Sequence, residues 1–230
     1  MDYVLILIWL FSTLTIATIV CMMGKKHGVE YLIALYAASI VIANITAVKI
    51  IDLFGVTVPA SFIIYSATFL ITDTINEIWG KKQAMKAVWV GFIALIMHVT
   101  VVQIAILIEP STLWAGQDAF KETLSSGLRL SLASFAAFLT SQTIDVHLFA
   151  KLKKKTKNKK LWLRNNVSTQ LSQSLDAVIF ITIAFAGLFP LKSLIIGTIL
   201  LKFVVTLMDT PFLYLIRGYY KNSKKIRKEN

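Results

Sequence analysis

Two stretches of this chain repeat one polar pattern, SQTIDVHLF over residues 141–149 and SQSLDAVIF over residues 172–180. Each reads Ser-Gln, any residue, an apolar residue, Asp, and then Phe four residues after the Asp. On a helix the Gln and Asp stand at i and i+3 with the Phe one turn beyond, so an amide, a carboxylate and an aromatic face share one stripe. A carboxylate accepts two parallel N–H bonds, an amide both donates and accepts, and a Phe stacks. That equipment suits a flat, polar, nitrogen-rich ring. In TFLITDTINEIWG, Asp73, Asn76 and Glu77 likewise fall on one face, with Tyr65 and Phe69 one to two turns above. Lys202, Thr206 and Asp209 make a further face at i, i+4 and i+7.

The elements that must position these groups are apolar. The chain of 230 residues is 57% hydrophobic with a mean hydropathy of +0.71, above the roughly 45–50% apolar content of soluble domains. The net charge of +12 comes from short basic runs between apolar stretches. That distribution points to a lipid bilayer as partner and not to a nucleic acid bound directly. A single cysteine, Cys21, excludes a disulfide framework within one chain. The first residues, MDYVLILIWLFSTLTIATIVCMMGKK, lack a basic leader and a small-residue cleavage site, and read as a retained helix.

A helix needs about 20 mostly apolar residues to cross the hydrocarbon core. Seven stretches qualify or nearly so: approximately 3–23, 31–48, 59–79, 84–108, 128–150, 165–187 and 191–216. Connections are short apart from 109–127 and 151–164. Strands are implausible, because the apolar runs are long and do not alternate. The expected fold is therefore an all-α integral membrane bundle of seven spans. With the N-terminus outside and the C-terminus inside, 19 of the 24 basic residues fall in cytoplasmic segments, and KLKKKTKNKKLWLR alone holds eight. Six spans would put one basic cluster on the wrong side.

Five acids, Asp73, Glu77, Asp145, Asp176 and Asp209, lie within these spans. Each costs on the order of 3 kcal/mol at mid-bilayer, so none should face lipid. Asp176 and Lys202 have similar depth near the midplane and make a natural ion pair. Asp73, Asp145 and Asp209 sit roughly 10 Å from the cytoplasmic interface at 1.5 Å per residue. A lone Asp–Gln pair is often interhelical glue worth about 0.6–2 kcal/mol. Five acids with an internal lysine and several amides exceed that need and favour one shared substrate cavity. His98 and His147 read as hydrogen-bonded interior residues and make no metal site. Arg129 and Arg164, at span starts, read as snorkelling side chains. Ala34 and Ala38 have the small-xxx-small spacing of close helix packing. No zinc motif, nucleophile elbow, Walker loop or intramembrane aspartyl protease motif is present, so no enzyme and no cofactor are implied.

The succession PASFIIYSATFLITDTINEIWG, LRLSLASFAAFLTSQTIDVHLF and STQLSQSLDAVIFITIAF resembles the queuosine precursor transporter family, also called the vitamin uptake transporter family. The matching positions are Thr72, Asp73 and Gly80, then Arg129, Ala133, Ser134, Gln142, Asp145 and Val146. They continue with Ser168, Thr169, Asp176 and Phe180, and end with Lys202 and Phe203. The resemblance covers about 31–217. It implies a six-helix transporter core, here residues 25–217, with 1–24 as an extra N-terminal helix and 218–230 as a basic cytoplasmic tail. It also implies import, across a prokaryotic cell membrane, of 7-deazaguanine bases such as the cyano- and aminomethyl- forms or queuine, for tRNA modification. Asp176 or Asp73 then takes the donor edge of the base, and Gln173, Gln142 and Asn76 take its remaining polar atoms. Phe180 or Tyr65 stacks, and Lys202 balances Asp176 when the site is empty. Glu77, Ser168 and Thr169 complete the expected substrate set, with Asp145, Glu77 and Asp209 as candidates for ion coupling. A substrate-binding subunit of an energy-coupling-factor importer is the alternative, and an intramembrane enzyme or structural helper a further one. Association with further copies of the chain is left open.

Overall fold

The computed structural model describes residues 3–53, 55–124, 128–187 and 190–229. Asp2, in the tail before the first span, lies outside the described residues. Among the described residues eight helices and one hairpin follow in order: α1 (Tyr3–His27), α2 (Glu30–Thr46), β1 (Ile50–Leu53), β2 (Val56–Pro59), α3 (Phe62–Ile78), α4 (Lys81–Leu107), α5 (Gln117–Leu124), α6 (Leu128–Lys155), α7 (Leu161–Phe185) and α8 (Leu191–Glu229). Lys25, Lys26 and His27 in the last turn of α1 complement its dipole. Gly80, at φ 87°, turns the chain from α3 into α4 in a region that side chains rarely enter.

α3 is the central helix. It packs against α1, α2, α4, α6 and α8, and thirteen of its seventeen residues are buried. A helix covered on all sides can carry polar groups without showing them to lipid. α6 and α7 form a long antiparallel pair, α7 packs on α8, and α8 returns to α3. α4 instead exposes Trp89, Ile93, Met97, Val101 and Ile104 along its outer face, as a lipid-facing helix must. Gly91 lets α4 approach α2, because a Cβ there would lie 2.6 Å from the Tyr36 ring.

Among the described residues four helices, α1, α4, α7 and α8, are each long and apolar enough to cross a membrane. α2 is apolar but has only 17 residues. α3 also has only 17 residues, and α6, though long enough, falls short because it carries interior polar residues. The chain is thus a predominantly helical membrane protein, with more local structure than the sequence suggested. The connection after α2 is an antiparallel hairpin with Ile50 opposite Pro59 and Leu53 opposite Val56. Its edge problem is managed by shortness and by packing on α8. The long connection 109–127 contains the amphipathic α5, tied back by Gln117 Nε2 donating to the Ile106 carbonyl at 3.0 Å. α8 runs 39 residues through Pro211, well past the expected end near 216.

Candidate functional site

A cavity of about 460 Å³ opens between the hairpin, the C-terminal end of α2 and the adjoining ends of α3, α6, α7 and α8. That volume falls in the usual range of small-molecule sites. Its walls are mainly apolar and aromatic, including Phe62, Phe138, Phe180 and Phe185. Phe180 and Phe185 meet edge to face at 6.0 Å. Asn44, Ser134 and Thr198 add scattered polar atoms.

The deepest lining residues carry the charge. α7 places Asp176 opposite Lys202 of α8, with Nζ 2.7 Å from Oδ2. Tyr65 of α3 donates to Oδ1 at 2.8 Å, and Ser141 of α6 donates to the same oxygen at 3.3 Å. Four helices thus converge on one carboxylate. Lys202 Nζ also lies 5.1 Å from the Tyr65 ring centroid, within cation–π range. Asp176 and Lys202 remain 7% and 5% exposed, and that exposure is to the cavity. The Asp176–Lys202 ion pair expected from the sequence is therefore present.

Beneath this floor the bundle closes. Gln142 donates from Nε2 to Thr68 Oγ1 at 3.1 Å, while its Oε1 and both amide atoms of Gln173 meet no partner. Thr169 donates to Asp73 Oδ2 at 3.2 Å, and Asn165 donates to Asp209 Oδ1 at 3.0 Å. Asn76 donates to the Val146 carbonyl at 2.9 Å. Asp145, Ser168, Gln142, Thr169 and Gln173 have no exposed surface.

The single chamber expected from the sequence is thus divided. Tyr65, Asp176, Phe180 and Lys202 line the cavity. Asp73, Asn76, Gln142, Asp145, Ser168, Thr169, Gln173 and Asp209 lie sealed below it, buried among α3, α6, α7 and α8. The two matching patterns have different fates. Asp176 and Phe180 face the cavity, whereas Asp145 is sealed and Phe149 is buried beneath the Arg164 guanidinium, 5.5 Å from its ring centroid.

Glu77 belongs to neither layer. At the end of α3 it faces three cations: Arg164 Nη2 at 2.6 Å, Arg217 Nε at 3.0 Å and Lys153 Nζ at 3.3 Å. Lys153 also donates to the Glu77 and Asn76 carbonyls at 2.6 and 3.1 Å. Arg164 and Arg217 each donate to the basic turn, at the Lys159 and Asn158 carbonyls. This clamp closes the end of the bundle opposite the cavity. Arg164, expected to snorkel, is fully buried because its charge is spent on Glu77. Arg129 is exposed, but it donates to the Ile183 carbonyl in the last turn of α7 and to the carbonyl of Ala186 just after it, at 2.6 Å each. His147 is exposed and contacts the Thr143 carbonyl of its own helix, contrary to the interior placement expected for it.

Sequence reasoning missed the clamp, Ser141 and the hairpin residues Ile50, Val58 and Pro59 that wall the cavity. Ser141 was visible as the first residue of the repeated pattern. The clamp had no local signal, since its cations come from 76 to 140 positions away.

A helical membrane bundle with an aromatic chamber open at one end and a charged clamp shutting the other has the build of a small-molecule transporter. The chain belongs to the family described as "Putative vitamin uptake transporter", which matches residues 59–216. It is 34% identical over 221 residues to the "Probable queuosine precursor transporter" of Bacillus subtilis (strain 168), covering 94% of this chain and 96% of that protein. No solved structure matches the chain.

Proposed function

We propose that this chain imports queuosine precursors, 7-deazaguanine bases such as the cyano- and aminomethyl- forms or queuine, by alternating access. The observation that carries the reading is the Asp176–Lys202 pair at the bottom of an aromatic cavity. A deazaguanine edge offers N1–H and an exocyclic amine, two parallel donors matched to one carboxylate. Its carbonyl oxygen accepts from Lys202. Phe180 and Tyr65 flank the ring. The pair that satisfies itself in the empty site is replaced by bonds to the base, so neither buried charge is left alone. The relative's name supports the same substrate class.

In this reading seven helices, α1–α4 and α6–α8, span the cytoplasmic membrane of a prokaryote with the N-terminus outside. The cavity then faces out and the basic clamp faces in. Residues 1–24 form an additional helix beside a transporter core of 25–217, with 218–230 as a basic tail. The sealed residues Asn76, Gln142, Ser168, Thr169 and Gln173 line the inner half of the path once the clamp opens. Ala34 and Ala38 are exposed on α2, which favours one second reading: a substrate-binding subunit docked on partner helices.

The test measures tRNA queuosine in a strain unable to make the precursor, with and without this chain, alongside labelled-base uptake by the purified chain in liposomes. Restored queuosine with uptake by the chain alone supports the carrier. Restored queuosine without liposome uptake moves the reading to the partner-dependent subunit. No effect in either assay sinks both.

A further inference from the structure

The sealed layer contains an imbalance that substrate recognition does not explain. Asp73 of α3, Asp145 of α6 and Asp209 of α8 are 1%, 0% and 1% exposed, and Asp73 lies within electrostatic reach of the other two. Their nearest donors are few. Thr169 serves Asp73, Asn165 serves Asp209, and the Ser168 hydroxyl points to the Asn165 carbonyl at 3.4 Å. Asp73 Oδ1 and Asp209 Oδ2 meet no donor, and the Asp145 carboxylate makes no bond of full hydrogen-bond geometry, with the Ser168 and Thr169 hydroxyls and the Asp73 carboxyl beside it. An unpartnered buried acceptor costs about 1–3 kcal/mol, and more when charged.

Two side-chain oxygens beside the cluster are also unpartnered. The Asn165 amide oxygen, on a fully buried residue bonded through its nitrogen to Asp209, has no donor. The Tyr36 hydroxyl of α2 is fully buried and unpartnered, and it lies within electrostatic reach of both Asp145 and Tyr65. The charged groups around the cluster are committed elsewhere. Arg164 of α7, Lys153 of α6 and Arg217 of α8 hold Glu77, and Lys202 of α8 holds Asp176. Among the described residues no three acidic, His or Cys side chains are arranged to hold a metal ion. On the three carboxylates themselves the unmet atoms are all acceptors.

We propose that Asp73, Asp145 and Asp209 form a proton-binding site, and that protons carried through it drive base import. A proton turns a carboxylate oxygen into a donor, and the Asp73 and Asp145 carboxyl groups are close enough to share one hydrogen bond once either is protonated. The Tyr36 hydroxyl, between Asp145 and the Tyr65–Asp176 floor, is the relay from the cavity. Protons enter from the cavity side, reside on the cluster, and leave toward the basic end when the clamp opens. This rests on the transporter reading, whose failure is separable from its own.

Infrared difference spectra of the purified full chain at neutral pH read the site directly. The expected result is a carboxylic-acid C=O band, distinct from carboxylate and amide bands, that shrinks in Asp73→Asn and in Asp145→Asn and persists in Asp176→Asn. Absence of the band in the unmodified chain overturns the proton site without recourse to any variant. Liposome measurements read the coupling. With an inside-alkaline gradient of about one pH unit, a one-proton symport accumulates labelled base up to about tenfold, and a protonophore abolishes this while leaving exchange at equal pH. Exchange with no response to the gradient overturns the coupling and leaves the transporter reading intact. No movement of base under any condition sinks the transporter reading, and the infrared band still decides the site.

Discussion

Replacing Glu77 by Gln removes the anion that three cations share at the basic end of the bundle. At an effective dielectric near 20, each contact at 2.6–3.3 Å is worth roughly 5 kcal/mol gross. Repulsion among the cations and their lost hydration cancel much of this. Breaking a buried pair by removing one partner costs on the order of 3–5 kcal/mol net. That cost falls on the closed clamp, because an opened clamp returns Lys153, Arg164 and Arg217 to water. At about tenfold per 1.4 kcal/mol, the closed-to-open ratio should fall by about two to three and a half orders of magnitude. A Ser172→Cys reporter on a Cys21→Ser background reads the change. Ser172 is fully buried on α7, two turns from Arg164. In vesicles of either orientation, an impermeant maleimide should label the introduced thiol slowly while Glu77 is intact. With Glu77→Gln the labelling rate from the basic side should rise by about 100-fold or more. An unchanged rate from that side, in a variant that still elutes and melts as a folded protein, would falsify the clamp.

Asp176→Asn strands Lys202 and should weaken base binding by about ten- to a hundred-fold, from about 1.5–3 kcal/mol per charged hydrogen bond lost. Combining it with Lys202→Met should recover thermal stability in detergent without recovering uptake. Gly91→Val forces the α4 backbone away from Tyr36 and should cost about 1–3 kcal/mol by overpacking, read as a lower detergent melting temperature; unchanged melting contradicts the tight crossing. Arg129→Gln uncaps the end of α7 and should lower melting by a few degrees while leaving the base-binding constant near its original value.

The parts of the site written into helical spacing were legible from sequence. The Asp176–Lys202 pair followed from equal depth in adjacent spans, and the buried Lys202, Thr206 and Asp209 followed from one face of one helix. What could not be read was how far each stripe lies from open space. Two patterns alike in residue type diverge because α7 presents Asp176 to a gap under the hairpin, whereas α6 presents Asp145 to packed neighbours. Glu77 was expected in the substrate set and among the ion-coupling candidates, because its three counter-charges join it only through tertiary packing. The hairpin and α5 escaped notice because short elements between long apolar runs leave weak periodic signals. Span number was argued from apolar length, a rule that the 17-residue α3 and the more polar α6 do not meet, and α3 is covered by five other helices.

The floor pair and the clamp share their supports. Asp176 and Arg164 ride on α7, twelve positions apart, and Lys202 and Arg217 ride on α8, fifteen apart, about 18 and 22 Å along the axes. Anything that wedges Asp176 from Lys202 therefore tilts the same two rods whose far ends grip Glu77. Pro211 sits between the two stations on α8, where a missing backbone bond makes bending cheap. Cargo arriving at the upper station can loosen the lower latch by leverage, with no messenger passing between them.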